Sequence, residues 1–285
     1  MHSSVSRVEG GGGPRKQSSK PNRLLMDKMR VICGKYTVPI AFQDKFVAII
    51  DKPWRLASQK GTNVDISVPD IMEQYFRHHK TYPNDINDVV LPLHSGTNRS
   101  FVGLVHRLDR CVSGLMIVAK NSRAANKLTE ALQTNNIEKS YVALVHGHMN
   151  SIGWKKYDHV MRNERGQELP VSLYAESIGQ FSNHTTLVKV QLVTGRKHQI
   201  RAQLSYLGHP ILGDYKYGAL FNATSTSKRV ESCIALASYK ITFTKPLLGF
   251  TAGFEVKITG DALKPWERWL GREEVAHLGQ LIQQH

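Results

Sequence analysis

Asp109 stands between two arginines in the run Gly103-Leu-Val-His106-Arg107-Leu108-Asp109-Arg110-Cys111-Val112-Ser113-Gly114-Leu115. Apolar residues on both sides place this run at a buried edge, where Gly103 and Gly114 permit turns. A carboxylate in such a place stays ionised when a cation pairs with it. Ionised and partly desolvated, it can serve as a nucleophile or an electrostatic partner. The plainer use of an aspartate beside arginine is a structural ion pair, and for a lone Asp that use is the commoner one. A second constellation is Glu138-Lys139-Ser-Tyr141-Val-Ala143-Leu-Val-His-Gly147. A tyrosine ring there can stack on an extruded base and its hydroxyl can move a proton; the plainer reading is a core tyrosine. A third runs Leu192-Val-Thr194-Gly195-Arg196-Lys197-His198-Gln199-Ile200-Arg201-Ala-Gln-Leu204 and on through Gly208-His-Pro210-Ile211-Leu212-Gly213-Asp214-Tyr215-Lys-Tyr217-Gly218. If Thr194 and Gly195 end a strand and Arg196 opens a helix, backbone N–H groups at that helix start favour an anion, either a phosphate or Asp109. Arg196 is then the expected cation beside Asp109, and His198, Gln199 and Arg201 can reach phosphate or sugar. The competing reading is an amphipathic helix with a solvated basic face.

These residues need elements to hold them. Lys45 to Asp51 reads as a buried strand closed by Lys52-Pro53. Residues 69–79 read as a helix with Pro69 in its first turn and Ile71, Met72 and Phe76 on one face. Residues 80–100, with Pro83, Asn84, Gly96 and Asn98, read as a polar loop. Residues 122–134 form a helix capped by Asn121 or Ser122. Tyr141–Val145 and Thr186–Val193 are strands, Lys197–Leu207 is a short helix ending at Gly208, and 234–243 and 251–258 are closing strands. Helices lie irregularly among many strands, without a βαβ repeat, which predicts an α+β architecture. Order is expected from about Tyr36.

The chain has 285 residues and is 41% hydrophobic, enough for a full core. No run of 18 or more apolar residues is present, so no membrane span is expected. Lysine and arginine number 38 against 23 acids, a formal charge of +15, which points to a polyanionic partner, most often nucleic acid. Residues 1–30 carry seven of the basic residues, against Glu9 and Asp27. The other 255 residues therefore remain basic by +10, so the charge is not confined to a tail. Residues 1–35 are expected to be a disordered basic tail. It is acid-poor like an organellar transit peptide, which sets a mitochondrial compartment ahead of the cytoplasm or nucleus, yet no amphipathic helix precedes Pro21. The alternative is a flexible arm that touches RNA. Cys33, Cys111 and Cys233 form no CxxC pair, so neither a zinc knuckle nor a disulfide framework is indicated, and a reducing intracellular compartment fits. No HExxH-like cluster appears among the 13 histidines, and no metal or redox cofactor is expected.

Taken in order, the motifs resemble the RluA-type family of RNA pseudouridine synthases. His106-Arg-Leu-Asp109 with Ser113-Gly114-Leu115 resembles that family's catalytic loop, and Lys139-Ser-Tyr141-Val-Ala143 its tyrosine strand. Thr194-Gly-Arg196-Lys-His-Gln-Ile-Arg201 with Gly208-His-Pro-Ile-Leu-Gly-Asp214 resembles its third motif, and Asp51-Lys52-Pro53 its early lysine-proline step. The resemblance spans roughly residues 36–260. It implies a mixed, mostly antiparallel central sheet flanked by helices, with a basic active-site cleft, in a catalytic domain at 36–262 followed by a helical extension at 263–285. It implies isomerisation of uridine in RNA, ribosomal RNA ahead of transfer RNA, with ribosomal or assembly partners possible and no cofactor. Asp109, Tyr141 and Arg196 would be catalytic. Arg107 would enter the space the base leaves, and His106, Arg110, Lys197, His198, Gln199 and Arg201 would contact RNA. Cys111 and Val112 depart from the family's usual acidic residue and threonine, which reads as altered support around the loop. About 35 residues before the first expected strand are too few for a separate RNA-binding domain to fold. Two rivals stand beside this reading. A catalytically silent RNA-binding assembly factor has no need of a buried carboxylate; a glycoside hydrolase needs two acids flanking one bond, and Asp214 sits in an apparent turn.

Overall fold

The computed structural model describes residues 29–284, apart from 63, 82–87, 94–99, 182, 219–232 and 259. The expected tail therefore lies outside the described residues up to position 28, but its last part does not. Strand β1 (Arg30–Cys33) turns through the left-handed Gly34 into β2 (Tyr36–Gln43), so order starts earlier than Tyr36. Strand β3 (Val47–Lys52) is buried along its whole length. Helix α1 (Val68–Thr81) has Pro69 in its first turn, and Asp70 accepts from the backbone N–H of Ser67 at 2.9 Å, closing the helix start. Strand β4 (Val89–Leu91) falls inside the stretch expected to be loop; it lies parallel to β1, and three residues are too few to show a period.

Next come β5 (Gly103–Leu104), β6 (Ser113–Ala119) and α2 (Ser122–Gln133). Helix α2 is capped by the Asn121 side chain, which accepts from Ala124 N–H, and it packs on β6 and β7 (Ile137–His146). Strands β8 (Lys155–Arg162) and β9 (Glu168–Phe181) form a long hairpin that sequence reading did not find. Strand β8 half-buries Tyr157, His159 and Met161 on one face, but with a histidine among them and Val160 on the exposed face it lacks the clean apolar alternation that marks a half-buried strand. Strand β10 (Thr185–Leu192) leads to α3 (Gln199–Tyr206), two residues shorter at its start than expected. The chain closes with β11 (Leu236–Phe243), β12 (Phe254–Lys257), a 3-10 segment at Gly260–Arg268 and α4 (Arg272–Gln284).

The strands form one sheet in the order β4-β1-β2-β3-β6-β11-β7-β10-β9-β8, with β5 on β6 and β12 on β11. Among the described strands only β1–β4 and β6–β11 pair in parallel; the other pairs are antiparallel. The fold is thus α+β with a mostly antiparallel central sheet. The register aligns Gly114 with Ser238, Ser238 with Tyr141, and Tyr141 with Val190. Residues distant in sequence therefore meet on one line across β6, β11, β7 and β10. Trp266 is fully buried, and Val275, Leu278 and Ile282 of α4 face inward.

Candidate active site

The turn that carries Asp109 lies between β5 and β6. Val112 N–H donates to the Asp109 carbonyl at 3.0 Å, and the Val112 side chain enters the core. Gly114 has φ +107, and a Cβ there would fall 2.3 Å from the Ser238 carbonyl, so only glycine lets β6 and β11 approach this closely. The turn is also gripped from the segment after β3. Ser58 Oγ donates to the Leu108 carbonyl at 2.6 Å and accepts from Leu108 N–H at 3.1 Å. Arg55 N–H donates to Arg110 O at 2.8 Å, and Arg110 Nε donates back to Arg55 O at 3.1 Å. Lys52 is fully buried and holds that segment by donating to Pro53 O and Leu56 O; burial lowers its pKa to about 7.

The guanidinium that meets Asp109 is that of Arg201, not Arg196. Arg201 Nη1 donates to Asp109 Oδ2 at 2.9 Å, while its Nε and Nη2 donate to the two oxygens of Asp214 at 2.6 and 2.9 Å. The reason is helical geometry. The chain is not helical until Gln199, so Arg196 stays exposed on the approach, whereas Arg201 sits on the inner face of α3. Burial opposes the Arg201 charge, but the Asp214 hydrogen bonds and neighbouring acidic groups outweigh it and hold the group above its ordinary value. Asp214, read from the sequence as part of a turn, is 1% exposed and is the inner anchor of this ion triad.

His198 takes the left-handed conformation (φ 57) immediately before α3. Its Nε2 lies 3.5 Å from Asp109 Oδ2, and its Nδ1 lies 3.0 Å from the Tyr217 hydroxyl. Burial lowers its pKa despite Asp109, which favours the neutral ring. A non-glycine residue in that conformation beside the Asp109 carboxylate is strain of the kind found at functional sites. Gln199, expected to touch RNA, is turned into the body instead. Its carbonyl oxygen accepts from Thr194 Oγ1 and Arg196 N–H, and its amide donates to Ser172 O and Gln203 Oε1. Those bonds use its capacity and tie the end of β10 to α3.

Tyr141 lies on β7 and is 5% exposed; burial, then Asp109, push its phenol well above the usual range, so the hydroxyl keeps its proton. His106 is half-buried, and its Nε2 accepts from Ile117 N–H at 2.9 Å. Burial pushes it well below its ordinary value, so the ring is neutral. Arg107, Arg110, Arg196 and Lys197 are exposed at the rim, where Arg107 Nη1 donates to Gln59 Oε1 at 2.7 Å and Lys197 pairs with Glu164 at 2.6 Å. Asp109, Tyr141, Arg196 and the His106–Arg107 pair all line one cavity of about 690 Å³, with room for a nucleoside and its flanking phosphates. The Asp109 side chain is 28% exposed in it.

Ser58, Gln59 and the Asp214 anchor escaped sequence reading because their partners lie 50, 48 and 13 residues away, and a single hydroxyl or amide carries no pattern. No three candidate metal ligands come together among the described residues.

A family model described as RNA pseudouridylate synthase matches residues 47–206. Ribosomal large subunit pseudouridine synthase D of Vibrio parahaemolyticus is 30% identical over 253 residues, 83% of this chain and 72% of that protein. Ribosomal large subunit pseudouridine synthase C of Pasteurella multocida is 28% identical over 84% of this chain and 69% of its own length. Among solved structures, human RNA pseudouridylate synthase domain containing 4 superposes with a TM-score of 0.56 at 20% identity, covering 79% of this chain and 92% of that one.

Proposed function

Since the chain belongs to the RNA pseudouridylate synthase family, we propose that it converts specific uridines of ribosomal RNA to pseudouridine at the Asp109 cavity. The carrying observation is the Asp109 carboxylate, open to a cavity with room for a nucleoside and its flanking phosphates and fixed by an arginine that is itself locked to a buried aspartate. The base inside an RNA helix hides C1′ and C5, so the target nucleotide turns out of the stack. The exposed rim arginines and Lys197 suit the phosphates, and Arg107 suits the space left by the base. The Asp109 carboxylate then acts on the flipped nucleoside. It attacks C1′ or the base, or takes a sugar proton; the N1–C1′ bond breaks, the uracil turns, and C5 joins C1′. Tyr141 packs on the ring. The C5 proton leaves as C5 joins C1′ and N1 gains one, so the isomerisation is proton-neutral; the protonated Tyr141 hydroxyl relays, accepting the C5 proton as it gives its own to solvent, from which N1 is protonated. Ribosomal RNA is favoured by the relatives named for the large subunit.

The test is Asp109→Asn. Mass-spectrometric mapping of pseudouridine in ribosomal and transfer RNA from cells lacking the gene, re-supplied with either protein, is expected to show one or a few rRNA sites restored by wild type alone. RNA affinity should stay within about threefold. Product formed by the variant, or wild type that binds RNA and forms none, overturns the reading.

A further inference from the structure

Lys139 is a cavity-lining cation that the mechanism so far leaves unused. It precedes Tyr141 by two residues on β7, so both side chains leave the same face of the strand. The apolar Val105, Leu132 and Leu192 line the same cavity. Burial depresses its pKa and no charged group offsets that. Among the described residues no acceptor or carboxylate partners its ammonium. The neighbouring His106 ring is neutral and spends its acceptor on Ile117.

Lys139 is half-buried, and a partly desolvated ammonium with no protein partner is best satisfied by a ligand that brings negative charge. The other cations of the cavity stand elsewhere: Arg107, Arg110, Arg196 and Lys197 at the exposed rim and Arg201 on Asp109. Phosphates stay with the rim, and C1′ must reach Asp109. What lies against Tyr141, and so beside Lys139, is the base.

We propose that Lys139 is a catalytic residue that donates a hydrogen bond to a uracil carbonyl oxygen and balances the negative charge the base acquires as it is released. This rests on the reading of Asp109 above. It holds for each route open to that carboxylate. If Asp109 bonds to C1′, or removes a sugar proton, the N1–C1′ electron pair departs on N1 and spreads over O2 and O4. If Asp109 adds to C6 of the base, the C5–C6 π pair moves to O4. In every case the charge falls on the base, where a preorganised cation lowers the barrier.

The experiment compares full-length wild type, Lys139→Met, Lys139→Gln, Lys139→Arg and Asp109→Asn in single turnover. The substrates are transcripts of the rRNA segment mapped above, made with uridine or with 5-fluorouridine. Loss of the N-glycoside is followed by nucleoside mass spectrometry. Fluorine stabilises negative charge on the base, so a variant without the cation should be partly rescued by it. Lys139→Met is expected to lose about 100-fold in rate on uridine and at least about tenfold less on 5-fluorouridine, with RNA Kd within about threefold and Lys139→Arg intermediate. Lys139→Gln keeps a donor without charge and serves as well should Met disturb the fold. Equal losses on the two RNAs, a loss confined to Kd, or a wild-type rate in Lys139→Met each overturn the assignment. Activity in Asp109→Asn instead removes the underlying reading, so the two failures are told apart.

Discussion

One guanidinium spans two carboxylates at the centre of this protein. The fork of Arg201 uses two of its nitrogens on Asp214 and a third on Asp109. A lysine offers one charged point and cannot hold both in that geometry. Arg201→Lys should therefore fold but lose about 10- to 100-fold in single-turnover rate with little change in RNA affinity. Arg196→Ala should do the reverse, leaving the rate and weakening RNA binding, because Arg196 is exposed on the approach. Rate and Kd measured on both variants decide the matter; a larger rate loss in the Arg196 variant would restore the assignment that its place in the motif suggests. The Cys111–Val112 pair is compatible with the turn that carries Asp109. Val112 fills a core position and its N–H closes on Asp109 O, so none of the Asp109 side-chain contacts depends on the acidic residue and threonine usual in the family.

Among the elements, the parallel pairing of β6 with β11 sets how close the Asp109 turn comes to the tyrosine strand, since β11 lies between them. Gly114 is where the two strands touch most closely. A methyl group there meets the Ser238 backbone and must also adopt positive φ. Gly114→Ala should cost about 2–4 kcal/mol, combining overpacking with a left-handed penalty, read as a lowered denaturant midpoint. It should also move the turn and lower activity in the fraction that remains folded. A variant with unchanged midpoint would mean the sheet adjusts there freely. The grip of Ser58 and Arg55 on Leu108 and Arg110 works at the same scale, tying the loop after β3 to the loop before β6. Those contacts were illegible in the sequence, because backbone carbonyls have no residue signature.

For the whole molecule, charge is the dominant property. The +15 surplus leaves about two thirds of its net charge outside residues 1–30, so RNA binding should fall steeply with salt. Removing residues 1–28 takes six basic side chains, Arg7, Arg15, Lys16, Lys20, Arg23 and Lys28, along with Glu9 and Asp27. The slope of log Kobs against log salt should then shrink by no more than about 5, with the single-turnover rate preserved. An identical slope would show that these residues make no phosphate contact, and a lost rate would give them a part in the chemistry.

The sequence by itself determined which residues are chemically able: a carboxylate among cations, a tyrosine two positions after a lysine on a strand, a basic run before a helix. It also determined most of the buried strands and the capped helix at Ser122, because these follow from local periodicity and end signals. Tertiary structure alone decided which arginine meets Asp109, that Gln199 faces inward, that Asp214 is an anchor, and that β8 is a strand. Each of these depends on how a residue is rotated or paired by partners far along the chain. A helix that begins at Gln199 instead of Arg196 exchanges one cation for another five residues on, and no local pattern records such a choice.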